Sequence, residues 1–291
     1  MKQRLFIFLI LAAASLTGCT KSDVCQAEVE EVTVNYAVAA PATKASEPAL
    51  GNGAAVNYVW YALYRTDGTL VNEFTLQPFF EGKALCPVTM VRDQSYKVVF
   101  VAQHYNVDGQ TKTPVYAVNA ESAVLSMPSS TEANSDNSDL FCYVDEVIDY
   151  KGDNDPKSII LTRKVAQINF ICTAEDASAA ALQGKTPDSS AITLTGVPAY
   201  YDILAGEPST ATMTVQYAKT ALTGDANLLG SAFCFASDHI ASAALKLYKG
   251  NDLTASVSVD HVPVEMNKRT NIVGALMTNG AASNQITQTA Y

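Results

Sequence analysis

The sequence predicts an all-β protein, and three observations support that fold class. Hydrophobic residues make up 48% of the chain and charged residues only 16%, which is typical of packed sheets rather than solvated helices. Valine, threonine and tyrosine, which fit pleated surfaces, are abundant. Short strand-like runs recur along the chain with turn signals between them, so we expect two β-sandwiches in tandem.

The first eighteen residues have the order of an export signal. Basic residues precede an apolar run over residues 5–16, and Gly18 stands directly before Cys19. The run is shorter than the roughly 20 residues that a membrane-spanning helix needs. We therefore predict a lipoprotein signal peptide over residues 1–18, cleavage between Gly18 and Cys19, and lipidation of Cys19. The alternative is an ordinary secretory signal followed by a chance cysteine.

The charge balance argues against one class of partner. The formal net charge is -10, with only 19 Lys and Arg residues and no basic stripe. Because phosphate binding relies on clustered cations, we expect no nucleic acid partner.

Five further cysteines follow Cys19. Cys142, Cys172 and Cys234 lie inside apolar strand-like runs, which predicts buried small hydrophobic side chains. A Cys25–Cys86 disulfide is the one pairing that their locations suggest, and nothing else in the sequence supports it.

The first mature segment, residues 27–39, predicts a half-buried strand. Val32, Val34, Tyr36 and Val38 share one parity, and mostly small or polar residues share the other. Residues 40–53 are rich in proline, glycine and small residues, which cannot hold a sheet ladder. We expect an exposed loop there.

Later segments set the predicted domain organisation. Asp67-Gly68 between two β-rich runs predicts a hairpin. The apolar run over residues 159–170 contains the charged pair Arg163-Lys164, where a strand could leave one sandwich and enter the next. We therefore predict an N-terminal domain over residues 19–162 and a C-terminal domain over residues 163–291. A short helix is expected at residues 174–183.

Motifs that carry chemistry are scarce. His104, His239 and His261 are scattered, and neither a metal-binding spacing nor a nucleophile motif is found. We expect no enzyme, no catalytic residue, no metal and no cofactor. The acidic segment 149–155 fits a solvated loop better than a calcium loop.

Tyr200-Tyr201, which follows Pro198, is the tyrosine pair most typical of an exposed surface. It is a candidate glycan-stacking platform, although core packing explains most tyrosines in such a chain.

Several of these segments together resemble the fimbrillin family, the subunits of type V pili. The resemblance rests on the signal, the first strand and its loop, Tyr58-Val59-Trp60-Tyr61-Ala62, the crossover over residues 160–170, and the closing residues 267–274. It covers essentially the whole chain, and the crossover and closing segment are its most specific parts. It implies two transthyretin-like Greek-key sandwiches, an outer-membrane lipoprotein precursor, and a protease that cuts the loop after the first strand.

The resemblance also implies a processing site. Lys44 is the only basic residue in the loop, so cleavage between Lys44 and Ala45 would release the strand containing Val32 to Val38. The family's best-known protease prefers arginine, and lysine departs from that pattern. Arg65 is the fallback site, and a plain solvated loop charge is the alternative interpretation of Lys44.

The resulting functional hypothesis is a cell-surface fimbrial subunit that acts in adhesion. Its partners would be other fimbrial subunits in a homo- or hetero-polymer, the outer membrane through the lipid anchor, and a host protein or glycan. The alternative from a different class is a monomeric surface lipoprotein that binds glycan.

Overall fold

The computed structural model describes residues 30–41, 50–225, 227–278 and 284–291. Nearly all of its regular structure is β-strand, which confirms the all-β fold class. The sequence-predicted sites Gly18, Cys19, Lys44 and Ala45, together with Cys25, lie outside the described residues.

The strands before the crossover form the first half of the fold. They are β1 (Glu31–Ala39), β2 (Tyr58–Arg65), β3 (Leu70–Glu73), β4 (Gln77–Pro78), β5 (Lys83–Val91), β6 (Tyr96–Gln103), β7 (Tyr105–Asp108), β8 (Thr111–Pro114), β9 (Ala117–Asn119), β10 (Val124–Ser126), β11 (Ser130–Glu132), β12 (Leu140–Val147), β13 (Lys157–Ile160) and β14 (Thr162–Arg163), with a 3₁₀ turn at Asp136–Ser138.

The second half contains the helix and the remaining described strands. They are β15 (Val165–Cys172), α1 (Ala174–Leu182), β16 (Ser189–Pro198), β17 (Tyr200–Asp202), β18 (Glu207–Pro208), β19 (Thr212–Ala221), β20 (Leu228–Phe235), β21 (Ser237–Lys249), β22 (Asp252–Val264), β23 (Lys268–Gly274) and β24 (Gln285–Ala290).

The first core lies between two sheets. One has the order β13-β1-β5, and the other has the order β14-β12-β6-β2-β3 with β4 beside β2. Val34, Tyr36 and Val38 of β1 share this core with Tyr61 and Phe100 of the larger sheet. The predicted alternation of the first strand therefore places its apolar side chains inside a sandwich.

The larger sheet is buried on both faces. Along β2, Val59, Tyr61 and Leu63 belong to the first core, whereas the alternate residues Trp60, Ala62 and Tyr64 belong to a second one. A strand with apolar residues on both parities has no face to present to water. The larger sheet therefore separates the two cores.

The second core is built largely from the C-terminal half. The sheets β20-β15-β23-β24 and β11-β19-β16-β21-β22 contribute Ile168 and Phe170 from one side and Leu194 and Leu245 from the other. A small sheet, β18-β17-β10-β9, packs on the face of the larger sheet that belongs to the second core. Because β10 pairs with β17 and β11 pairs with β19, strands from both sides of residue 163 share sheets. The domain boundary at 162/163 stays a prediction.

The loop after β1 differs from the expectation at its end. Leu50 and Gly51 are buried rather than exposed. Gly51 donates its N–H to Asp136 Oδ1 at 2.6 Å, and its carbonyl accepts from Arg163 Nη2 at 2.7 Å. These two bonds hold the loop's end against the body of the protein.

The helix prediction is confirmed, with the end one residue earlier than expected. Thr173 caps α1 by accepting the N–H of Asp176 at 3.2 Å. The buried Asp176 carboxylate in turn accepts the N–H of Met277 at 2.7 Å and of Thr278 at 3.1 Å. Among the described residues, no helix is long and apolar enough to span a membrane.

Candidate functional site

The candidate site is the position that β1 occupies between its two neighbours. All nine residues of β1 pair antiparallel with β5, from Glu31 opposite Val91 to Ala39 opposite Lys83. Its last four residues, 36–39, also pair in parallel with β13. Removal of β1 would therefore leave two strands with unpaired backbone groups on either side of a gap, which is a template for another strand.

The side chains of β1 divide as the alternation predicts. Val34, Tyr36 and Val38 are buried, and the intervening residues face outward. Val32 is half-buried and packs against the same core, so all four apolar side chains contact the slot and three of them are fully buried.

Tyr36 makes the most specific contacts in the slot. Its hydroxyl donates to Asp145 Oδ2 at 2.8 Å, and Lys157 Nζ donates to the same oxygen at 2.9 Å. Its ring lies 5.0 Å from the ring of Phe100 between centroids. Burial, followed by the hydrogen bond and charge of Asp145, raises the pKa of Tyr36 well above its usual value, so the hydroxyl remains a donor.

Cys86 lies directly opposite Tyr36 in the ladder and is fully buried. Burial raises the pKa of its thiol to about 12. Because thiolate is the reactive form, Cys86 should resist alkylation while β1 covers it. Cys142, Cys172 and Cys234 are also buried, as the sequence predicts.

The connections of β1 hold both of its ends. Glu30 accepts from Arg92 Nη2 at 3.0 Å at the start of the strand. At the other end, Ala40 N–H donates to Gly82 at 2.9 Å, and Ala39 accepts from Leu161 at 2.8 Å. Residues 42–49, which contain the predicted cleavage site, follow directly.

The fallback processing residue, Arg65, lies exposed at the end of β2 beside the hairpin turn. Its Nη1 donates to Gln94 Oε1 at 3.3 Å. Its role as a protease site stays a prediction.

A buried charge cluster near Gly51 was missed by the sequence reasoning. Arg163 is 2% exposed and donates Nε to Asp139 Oδ1 at 2.7 Å and Nη2 to Asp139 Oδ2 at 2.8 Å. Its guanidinium also lies 3.5 Å from the ring centroid of Tyr291. The arginine in the middle of an apolar run was the available signal, and it marks a buried ion pair.

Two other predicted features have plain structural outcomes. In the acidic segment, Lys151 Nζ lies 2.6 Å from Asp149 and 3.1 Å from Asp93. No group of three or more His, Cys, Asp or Glu residues able to hold a metal ion occurs in the part of the chain that the structure describes.

Tyr200 is exposed, but Tyr201 is buried, since neighbouring residues of a strand face opposite sides.

One comparison with a solved structure shows a shared fold. A proposed polysaccharide-binding protein from Bacteroides thetaiotaomicron has a TM-score of 0.51 and 10% identity, covering 83% of this chain and 91% of that one. A proposed cell adhesion protein from Bacteroides uniformis has a TM-score of 0.49 and 15% identity, covering 89% and 96%. A fimbrial assembly protein from Parabacteroides distasonis has a TM-score of 0.46 and 11% identity, covering 90% and 97%.

At such identities the likeness shows the fold alone. No curated protein matches the chain. A sequence family described as a family of unknown function, DUF6562, matches residues 26–289. Since that match spans nearly the whole chain, the protein belongs to the DUF6562 family.

Proposed function

We propose that this chain is a fimbrial subunit of the fimbrillin type. It is exported as a lipoprotein carried by Cys19, loses β1 by cleavage after Lys44, and receives a strand of another subunit in the slot. The observation that carries the proposal is the position of β1, a continuous strand between β5 and β13 with three buried side chains. The segment that contains Lys44 follows it in the sequence.

The energetics of refilling the slot depend on both side-chain burial and ladder hydrogen bonds. Burial of side chains of this size contributes about 1.5–3 kcal/mol each, so the three give about 5–9 kcal/mol gross. Association costs about 4–15 kcal/mol in lost translational and rotational freedom, which is as large as that gain. Ladder hydrogen bonds, at about 0.5–1.5 kcal/mol each, must therefore contribute to a durable joint.

The geometry of such a joint supports a polymer. The slot and the donated strand are different surfaces, so the contact is heterologous and propagates as an open filament. More than one acyl chain on Cys19 would keep the precursor at the outer membrane before assembly. The proposal assigns the chain no catalytic role. A surface role in adhesion agrees with the names of the structural neighbours, while the case for this chain rests on β1 and on the fimbrillin resemblance.

Limited trypsin treatment of the purified precursor, followed by thiol labelling and mass spectrometry, tests the proposal. We expect a new N-terminus at Ala45 and loss of β1, with Cys86 labelled in cut monomers, since β1 lies beside that residue, and protected again in subunits whose slot another strand has filled. Cys142 and Cys234, which lie in the second core, should stay unlabelled. Cut protein should also form ladders on an unboiled denaturing gel.

Two variants and one peptide supply the controls. A Cys25→Ser background removes any disulfide to Cys86, and Lys44→Gln should block the cut and keep Cys86 protected. A peptide copy of residues 30–41 should restore protection. The proposal fails if cut protein stays monomeric with Cys86 protected, or if losing β1 also exposes Cys142, because the remaining fold would then not persist.

A further inference from the structure

On the outward face of the small sheet β18-β17-β10-β9, side chains from neighbouring strands form two rows across the sheet. Asn119, Val124, Asp202 and Glu207 stand opposite one another across the four strands, and Ser126 stands opposite Tyr200 in the next row. These side chains line a shallow cavity of about 570 Å³. That volume lies within the range of about 300–1,000 Å³ that is typical of small-molecule sites.

Tyr200 supplies an aromatic surface on this face. Tyr200 is 48% exposed, whereas Tyr201 and Leu125 on the opposite side of the sheet are buried in the second core. The backbone of Tyr200 is bonded on both sides to Ser209, through its N–H to Oγ at 3.1 Å and through its carbonyl to the Ser209 N–H at 2.9 Å. These two bonds fix the position of the backbone that carries the ring.

Two polar side chains of the cavity, those of Asp202 and Asn119, accept hydrogen bonds from nearby backbone N–H groups. Asp202 Oδ1 accepts from Ala205 N–H at 2.9 Å, and Asn119 Oδ1 accepts from Ser122 N–H at 3.3 Å. Each of these bonds engages one oxygen, which leaves the second carboxylate oxygen of Asp202 and the amide group of Asn119 for a ligand. Ordered polar groups lose little freedom on binding.

From this arrangement we infer that the face binds a neutral oligosaccharide. The apolar face of a sugar ring suits the ring of Tyr200, sugar hydroxyls donate to Asp202 and Glu207, and they accept from the amide of Asn119. No Lys or Arg occurs among the described residues that line the cavity, so nothing there would offset the charge of an acidic glycan.

The size of the face sets the length of the ligand. Four strands spaced about 4.8 Å apart span about 14 Å from Asn119 to Glu207. That distance accommodates a short chain of sugars rather than a single ring. The site lies on a different sheet from β1, so the inference does not depend on strand removal.

Isothermal titration of the purified protein with neutral trisaccharides tests the inference. The probes are mannotriose, xylotriose, cellotriose and laminaritriose, with trigalacturonate and trilysine as charged comparisons. We expect saturable binding of at least one neutral probe with Kd at or below about 1 mM. Tyr200→Ala should weaken it at least about tenfold, Tyr200→Phe should preserve it, and Asp202→Asn should weaken it several-fold.

Leu253→Ala, which removes a comparably exposed apolar side chain on β22, is the matched control and should bind like the wild type. The inference is overturned if none of the neutral probes binds, if Tyr200→Ala binds as the wild type does, or if trigalacturonate or trilysine binds better than every neutral probe. Circular dichroism of each variant separates lost binding from lost folding.

Discussion

Replacement of Asp139 by alanine should be among the most damaging single changes in this protein. Asp139 is fully buried and receives two charge-assisted hydrogen bonds from Arg163, at 2.7 and 2.8 Å. Bonds of this kind contribute about 1.5–3 kcal/mol each. The loss of one partner of a buried ion pair independently costs about 3–5 kcal/mol, because the other charge stays buried. We expect the free energy of unfolding to fall by about 3–5 kcal/mol.

Urea unfolding followed by far-UV circular dichroism measures this loss. Glu265→Ala, which removes the exposed ion pair with Lys268, is the control and should change stability by less than about 1 kcal/mol. The double variant Asp139→Leu/Arg163→Met removes both charges and should recover much of the loss. A decrease no larger than that of the surface control, or a double variant less stable than Asp139→Ala, would refute the reasoning.

Two further predictions concern single polar groups. Tyr36→Phe should lower the free energy of unfolding by about 1–2 kcal/mol in urea titrations, because the hydrogen bond to Asp145 is lost while the ring still packs; an unchanged urea midpoint would contradict this. Burial raises the pKa of Asp136 above 3.8, so the folded state binds the proton more tightly than the unfolded state does. The free energy of unfolding therefore falls as pH rises above about 4. Asp136→Asn should therefore gain stability relative to wild type as pH rises above about 4, and the same dependence of unfolding free energy on pH in both proteins would contradict this.

The sequence predicted the regular strands well because their side-chain patterns are local. The alternation of β1, the Asp-Gly hairpin after β2, and α1 all agree with the structure. Each of these follows from a period or a turn signal within a few residues. The all-apolar run of β2 also fits its burial on both faces, although which partners cover those faces depends on residues far along the chain.

What the sequence missed depends on contacts between distant segments. The strands of the small sheet are two or three residues long, too short for a period to show. Arg163 marked the predicted crossover, and its burial depends on its partner Asp139, which lies 24 residues away in the sequence. The binding face that we infer on the small sheet likewise requires the register that places Asn119 in one row with Glu207, with two strands between them.

The long register of β1 has a mechanical consequence. Nine residue pairs join it to β5, and the backbone hydrogen bonds of this ladder lie across the strand axis. If a strand in this slot is pulled along its own axis, these hydrogen bonds are loaded in shear. Many of them then share the force at once instead of breaking one after another. A joint built on such a ladder would therefore resist tension most strongly along the axis of the inserted strand.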